Sequence, residues 1–326
     1  MGREREFPGL YRDATLGGVP APEPAHVRWW RPGRPLDVRA TLGPLRRGRG
    51  DPAYRVTADG AVWRTARTPA GTGTLRICAP AGGSLIEATA WGEGAGWLLD
   101  ALPLLLGADD DPAGFAPTHP LLRDVAARRP GMRIPRTGLV LEALVPAILE
   151  QKVTGTEAHR SWRELLTRFG ERAPGPVPPG MRVVPTPSQW SRVPSWEWHR
   201  AGVDGKRAST VVAAARCAGR MEETLRLSPE DAWRRLRALP GVGAWTAAEV
   251  RQRAHGDPDA VSVGDYHLPA LVGWALERRR VDDTGMLALL APYAGHRHRV
   301  VRLVELSGLR PPRRAPRFAP ADHRWH

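Results

Sequence analysis

The chain has 326 residues, 48 of them Lys or Arg against 34 Asp or Glu, for a formal charge of +14. That length buries a sizeable core and predicts two domains, and the positive balance favours a polyanionic partner over an acidic or neutral one. Only two isolated cysteines, Cys78 and Cys217, and no 18-residue apolar run are present, which argues against a disulfide framework, a cysteine-held zinc or iron–sulfur centre and a helical membrane span.

Met1 to Glu6 lacks the apolar core of a signal peptide, so a soluble cytoplasmic protein is expected. Residues 1–25, rich in Pro, Gly and charge, are predicted to form a flexible arm. Residues 26–112 read as an antiparallel α+β domain. Tyr54–Thr57 and Ala61–Thr65 flank the turn Ala58-Asp59-Gly60, and Thr74–Cys78 and Leu85–Thr89 alternate across Gly82-Gly83. Trp97–Leu106 is a helix limited by Pro103. Arg46, Arg47 and Arg49 read as a solvated turn or as phosphate contacts, and Asp109–Pro112 as a domain-joining turn.

Residues 113–308 read as a helical domain. Leu139–Val153 is apolar, with Pro146 expected to kink or shorten it; Ala158, Trp162, Leu165, Leu166 and Phe169 mark the next helix, ended by Gly170. Pro174–Pro187 is a loop, Ser188 and Ser195 are read as helix caps, and Arg207–Cys217 is a small-residue helix introduced by Asp204. Further helices are expected near 266–278, 284–291 and 295–307. Residues 309–326 are read as a basic, disordered tail.

Ser228-Pro229-Glu230-Asp231 is a helix start, and Pro240 stops that helix. Gly241-Val242-Gly243 then turns the chain into a second helix, Ala244–Arg253. The result is a helix–hairpin–helix whose second helix begins with free N–H groups, where the dipole favours a phosphate. An ordinary αα-turn fits the same residues. Asp265, 24 positions after Gly241, is either a plain N-cap for the helix that follows or a functional carboxylate.

Leu239–Ala248 together with Gly264-Asp265-Tyr266 resembles the signature of the helix–hairpin–helix DNA glycosylase superfamily, and most closely its bacterial 3-methyladenine branch of AlkA type. The likeness covers roughly Pro120 to Gly308, and the N-terminal third more weakly. It implies an α+β protein in which a glycosylase domain of this fold follows an antiparallel sheet domain. It also implies a monomer that acts on duplex DNA containing damaged bases, associated with the nucleoid and not with a membrane. No organic or redox cofactor and no structural metal is implied; a monovalent cation on the hairpin carbonyls is.

Cleaving an N-glycosidic bond builds positive charge at C1′, which a fixed carboxylate stabilises. The resemblance gives that role to Asp265. At Trp245, related bifunctional enzymes carry a Schiff-base lysine; this chain has an aromatic there, and its only lysines are Lys152 and Lys206. Hydrolysis without strand cleavage is therefore expected. Trp245 either walls the base pocket or packs in the core, and Tyr266 is placed at the pocket with it.

Gln151 stands where the family carries a pocket-side Gln. Lys152 stands where it carries an apolar wedge, and so is either a substitute wedge or a solvated charge. The backbone of Gly241, Val242 and Gly243, with Thr246, Lys152, Lys206 and Arg207, is expected to grip DNA. Glu249 replaces a stacking aromatic, and an approximate alignment puts Glu305 near another. They either complement a cationic alkylpurine or, for Glu249, face solvent and pair with Arg253. His296–Arg299 reads as a basic face near DNA. Alkylated purines are the expected substrates. Deaminated or oxidised bases, and a non-catalytic DNA-binding protein, remain alternatives.

Overall fold

The computed structural model describes residues 25–79 and 84–312; the N-terminal arm, the Gly82-Gly83 turn and the tail beyond residue 312 lie outside them. Strands β1 (His26–Trp30), β2 (Tyr54–Val56), β3 (Val62–Thr68), β4 (Gly71–Cys78) and β5 (Ile86–Trp91) form one antiparallel sheet in the order β1-β5-β4-β3-β2. The Asp59-Gly60 turn sets Tyr54 opposite Arg64 and Val56 opposite Val62. Leu75, Ile77, Ile86, Ala88 and Ala90 line the buried face and pack with α1 (Val38–Leu42) and α2 (Ala95–Leu105). Strand β1 escapes pattern reading because it is an edge strand whose Val27 and Trp29 are exposed, so no core-facing alternation marks it.

The rest is helical: α3 (Pro120–Arg128), α4 (Val140–Leu149), α5 (Gly155–Phe169), α6 (Pro187–Ser191), α7 (Ser195–Arg200), α8 (Gly205–Arg216), α9 (Ala218–Glu222), α10 (Pro229–Arg237), α11 (Ala244–Val250), α12 (Leu268–Glu277), α13 (Asp283–Leu290) and α14 (Arg297–Leu306). The fold is α+β. A short ribbon pairs β6 (Glu171–Arg172), just before the stretch read as a loop, with β7 (Arg182–Val183) inside it.

Helix α4 ends four residues earlier than its apolar run suggests, and keeps Pro146 inside it. Its first amides, Val140 and Leu141, donate to the two oxygens of Glu222 at 2.9 and 2.8 Å, so a remote carboxylate supplies the cap that Leu139 cannot. Ser188 and Ser195 are not caps. Thr186 caps α6 through a reciprocal pair with Gln189, and Pro194 precedes α7.

The helices bury two separate apolar clusters. One gathers α4, α5, α8 and α11; the other joins α3 to α12, α13 and α14. Asp110, in the stretch read as a domain-joining turn, is buried against Arg299 at 2.5 Å and accepts the Ile134 amide at 3.0 Å. The carbonyl of Pro44, beside the sheet, accepts Arg253 Nε at 3.0 Å and ties the two halves together. No helix among the described residues is long and apolar enough to cross a membrane.

Candidate active site

The hairpin lies between α10 and α11, and Asp265 lies just before α12, so the pair faces the seam between the two helical clusters. Ser228 caps α10 by accepting the Asp231 amide at 3.1 Å, as its sequence suggests. Gly241 has φ +88, and a Cβ there would fall 2.2 Å from Thr210 Oγ1, so only glycine fits. Gly243 differs: its φ is −90, and a Cβ placed on it would meet nothing within 4 Å. Its freedom is spatial, leaving the backbone open to close approach from outside. The amides of Gly241, Gly243 and Ala244 have no acceptor among the described residues.

Asp265 sits half-buried, with three donors on its carboxylate. Oδ1 accepts the amides of His267 and Leu268 at 2.7 and 2.8 Å, the geometry of a cap, and Oδ2 accepts Trp245 Nε1 at 3.0 Å. The cap bonds fix one oxygen and leave the other turned to Trp245. The preceding segment is held as firmly. Gly264 N donates to Asp283, and Gln252 Nε2 donates to Ala260 O and Ser262 Oγ at 3.0 and 2.9 Å. A single π turn over Arg251–His255 continues α11 and offers the Arg253 and Ala254 carbonyls to the Thr137 and Gly138 amides.

Gln151 is drawn to the hairpin itself: its Nε2 donates to Gly241 O at 2.9 Å and Thr246 Oγ1 at 2.8 Å. Thr246 and Val242 are buried, so the hairpin offers outward contacts through its backbone. Tyr266 is 82 % exposed and packs edge-on against His267. Lys152 is exposed in a left-handed conformation, φ 55, unusual for a residue with a side chain. Lys206 is also exposed, at the start of α8, whose Thr210 abuts Gly241.

Three expectations are corrected. Arg207 is 6 % exposed, and its guanidinium is consumed by Asp204, Leu149 O and Gly202 O at 2.6, 2.8 and 3.1 Å, so it is a structural clamp and no phosphate ligand. Burial tends to raise the Asp204 carboxyl, but the bonds from Arg207 and Lys206 hold it below its ordinary range. His296–Arg299 is no basic DNA face: Arg297 pairs with Asp259, Arg299 with Asp110, and His298 is buried, its imidazole held well below its ordinary pKa by burial and neighbouring arginines. Glu249 pairs with Arg253, four residues on, yet it is buried, not solvent-facing. Glu305 is engaged by Arg302. Burial disfavours the charge of Arg253, but Glu249, Glu150 and Glu305 outweigh it and keep the guanidinium firmly protonated.

No family model matches the chain. Over 171 residues, half of the chain, it is 32 % identical to the probable bifunctional transcriptional activator/DNA repair enzyme AlkA of Mycobacterium tuberculosis (strain CDC 1551 / Oshkosh), covering 34 % of that protein. Over 144 residues, 44 % of the chain, it is 29 % identical to DNA-3-methyladenine glycosylase 2 of Escherichia coli (strain K12), covering 50 % of it. The chain therefore spans a third to a half of the length of these curated relatives. Among solved structures, the 3-methyladenine DNA-glycosylase from Archaeoglobus fulgidus superposes with a TM-score of 0.70 at 17 % identity, over 86 % of this chain and 98 % of that one. The chain is thus similar over about half its length to AlkA-type proteins, and it shares the fold of a 3-methyladenine DNA-glycosylase. For this AlkA-like chain the α+β fold agrees with what its sequence leads one to expect.

Proposed function

We propose that this AlkA-like protein is a monofunctional DNA glycosylase that hydrolyses the N-glycosidic bond of an everted alkylated purine and leaves an abasic site. The observation that carries the reading is the Asp265 carboxylate, fixed by two amides and the Trp245 N–H beside a hairpin with unpaired amides. The hairpin amides and the exposed Lys152 and Lys206 would bind the phosphates, and the open surface at Gly243 lets the strand approach. As the C1′–N bond breaks, its electron pair leaves with the base; a purine alkylated at N3 or N7 departs neutral and needs no proton. Asp265 stabilises the cation left at C1′ and orients the water whose oxygen forms the new bond, accepting or relaying its proton.

With Trp245 at the position of a Schiff-base lysine, no amine is available there for strand cleavage. The hairpin carbonyls of Leu239, Gly241 and Gly243 each accept one hydrogen bond and keep a second lone pair with which they could hold a monovalent cation.

The test is base release from duplexes carrying 3-methyladenine, 7-methylguanine, hypoxanthine, uracil or 8-oxoguanine, with wild type and Asp265→Asn. The reading expects release of the methylated purines, abasic product without nicking, and an Asp265→Asn protein that binds the duplex but turns over roughly 10²–10³-fold more slowly. Release of only hypoxanthine, uracil or 8-oxoguanine would move the substrate class. DNA binding without any release, unaltered by Asp265→Asn, would leave a binding protein.

A further inference from the structure

Glu249 is a buried carboxylate that the hydrolysis just described does not use. It lies one helical turn beyond Trp245, and both of its oxygens are engaged. Oε1 accepts Ser262 Oγ at 2.5 Å, and Oε2 lies 2.8 Å from Arg253 Nη1. Ser262 is itself buried, accepts Gln252 Nε2, and through its carbonyl accepts the Asp265 amide at 3.3 Å. On the other side, Arg253 Nε reaches the Pro44 carbonyl at 3.0 Å, beside the sheet domain. A continuous path therefore runs from the N-terminal half through Arg253, Glu249 and Ser262 to the residue bearing the carboxylate.

Charge recognition of a cationic base by Glu249 is poorly served by this arrangement. Arg253 already neutralises the carboxylate, so an incoming cation would meet an ion pair with no net charge, and little of Glu249 is open to a ligand. Holding a loop is well served. A hydrogen bond in a dry setting is costly to break, and an ångström of misplacement at the reacting carbon costs on the order of 10²-fold in rate.

We propose that Glu249 is a positioning residue for Asp265: braced by Arg253 against Pro44, it fixes Ser262 and thereby the register of the Ser262–Asp265 segment. The proposal rests on the glycosylase reading of Asp265. It is tested on the full chain by single-turnover release of whichever lesion wild type excises fastest, alongside the Kd for a duplex bearing a tetrahydrofuran abasic analogue. Glu249→Gln, Ser262→Ala and the double variant are compared. Each single change is expected to slow release about tenfold with Kd held within twofold, and the double variant to be no slower than the slower single, because both cut one path.

Multiplicative losses in the double variant, release at the wild-type rate by either single variant, or a loss carried in Kd would overturn it. Should Glu249→Gln melt early, Ser262→Ala, which removes one hydroxyl, decides by its rate against its Kd. Wild type that excises no lesion sinks the glycosylase reading itself, a failure visible before any variant is made.

Discussion

The indole N–H of Trp245 points at Asp265 Oδ2 from 3.0 Å, while the opposite oxygen is occupied by the amides of His267 and Leu268. The aromatic at the hairpin is thus a hydrogen-bond donor that holds the rotation of the carboxylate. Trp245→Phe keeps the bulk and loses the donor. A hydrogen bond to a charged group contributes about 1.5–3 kcal/mol. Single-turnover base release should therefore fall roughly tenfold to a hundredfold, with affinity for an abasic duplex unchanged. Release at the wild-type rate would show that the amides alone orient Asp265.

The two hairpin glycines should fail differently. Gly241→Ala places a methyl 2.2 Å from Thr210 Oγ1 at φ +88, so both backbone strain and a clash fall on the fold, about 1–3 kcal/mol or more. Its melting temperature should drop. Gly243→Ala meets no protein atom within 4 Å, so its melt should match wild type. Its methyl would stand where a phosphate must approach, and affinity for duplex DNA, read by fluorescence anisotropy, should weaken. Unchanged affinity in Gly243→Ala would remove the hairpin from the DNA interface.

What could be read in advance follows the range of the forces involved. Gly241, the Ser228 cap and the Asp204 cap act within a few residues, and each is legible as local backbone chemistry. The pairing of Glu249 with Arg253 was legible as an i,i+4 contact; its burial was not, because Ser262 and the Pro44 carbonyl bring it about from elsewhere in the chain. His296–Arg299 misleads for the same reason: Asp110 lies 189 residues before Arg299, and no local pattern announces the pair. Likewise, α3 joins α12–α14 only in three dimensions, so one helical domain in sequence hides two cores with the site on their seam.

Basic residues near the hairpin should separate by salt dependence. Lys152 and Lys206 are exposed, so replacing either with Ala should leave the melt unchanged. Each loss should flatten the slope of log K against log salt by about 0.9 if the lysine meets one phosphate. Arg207→Ala instead strands the Leu149 and Gly202 carbonyls and Asp204, and should cost about 2 kcal/mol or more of stability. Equal slopes in all three variants and wild type would mean that DNA passes elsewhere.

Acid should weaken the fold through His255. Burial, then the Arg251 charge, depresses its imidazole from 6.5 to about 4. Between those values the unfolded chain binds a proton that the native protein refuses, so stability is complete above pH 6.5 and is lost as the pH falls toward 4. At about 1.4 kcal/mol per pH unit, the loss between pH 6.5 and 5 is about 2 kcal/mol. His298, buried beside Arg302, Arg253 and Arg299, acts in the same direction. Glu142 and Glu222 oppose it: burial raises both carboxyls, so their protonation in the native protein adds stability as the pH falls. Comparison with His255→Gln cancels those shared contributions. Denaturant titrations at about pH 7.5 and about pH 5 should show wild type losing about 2 kcal/mol relative to the variant, and parallel loss in the two proteins would mean that His255 accepts its proton in the folded state.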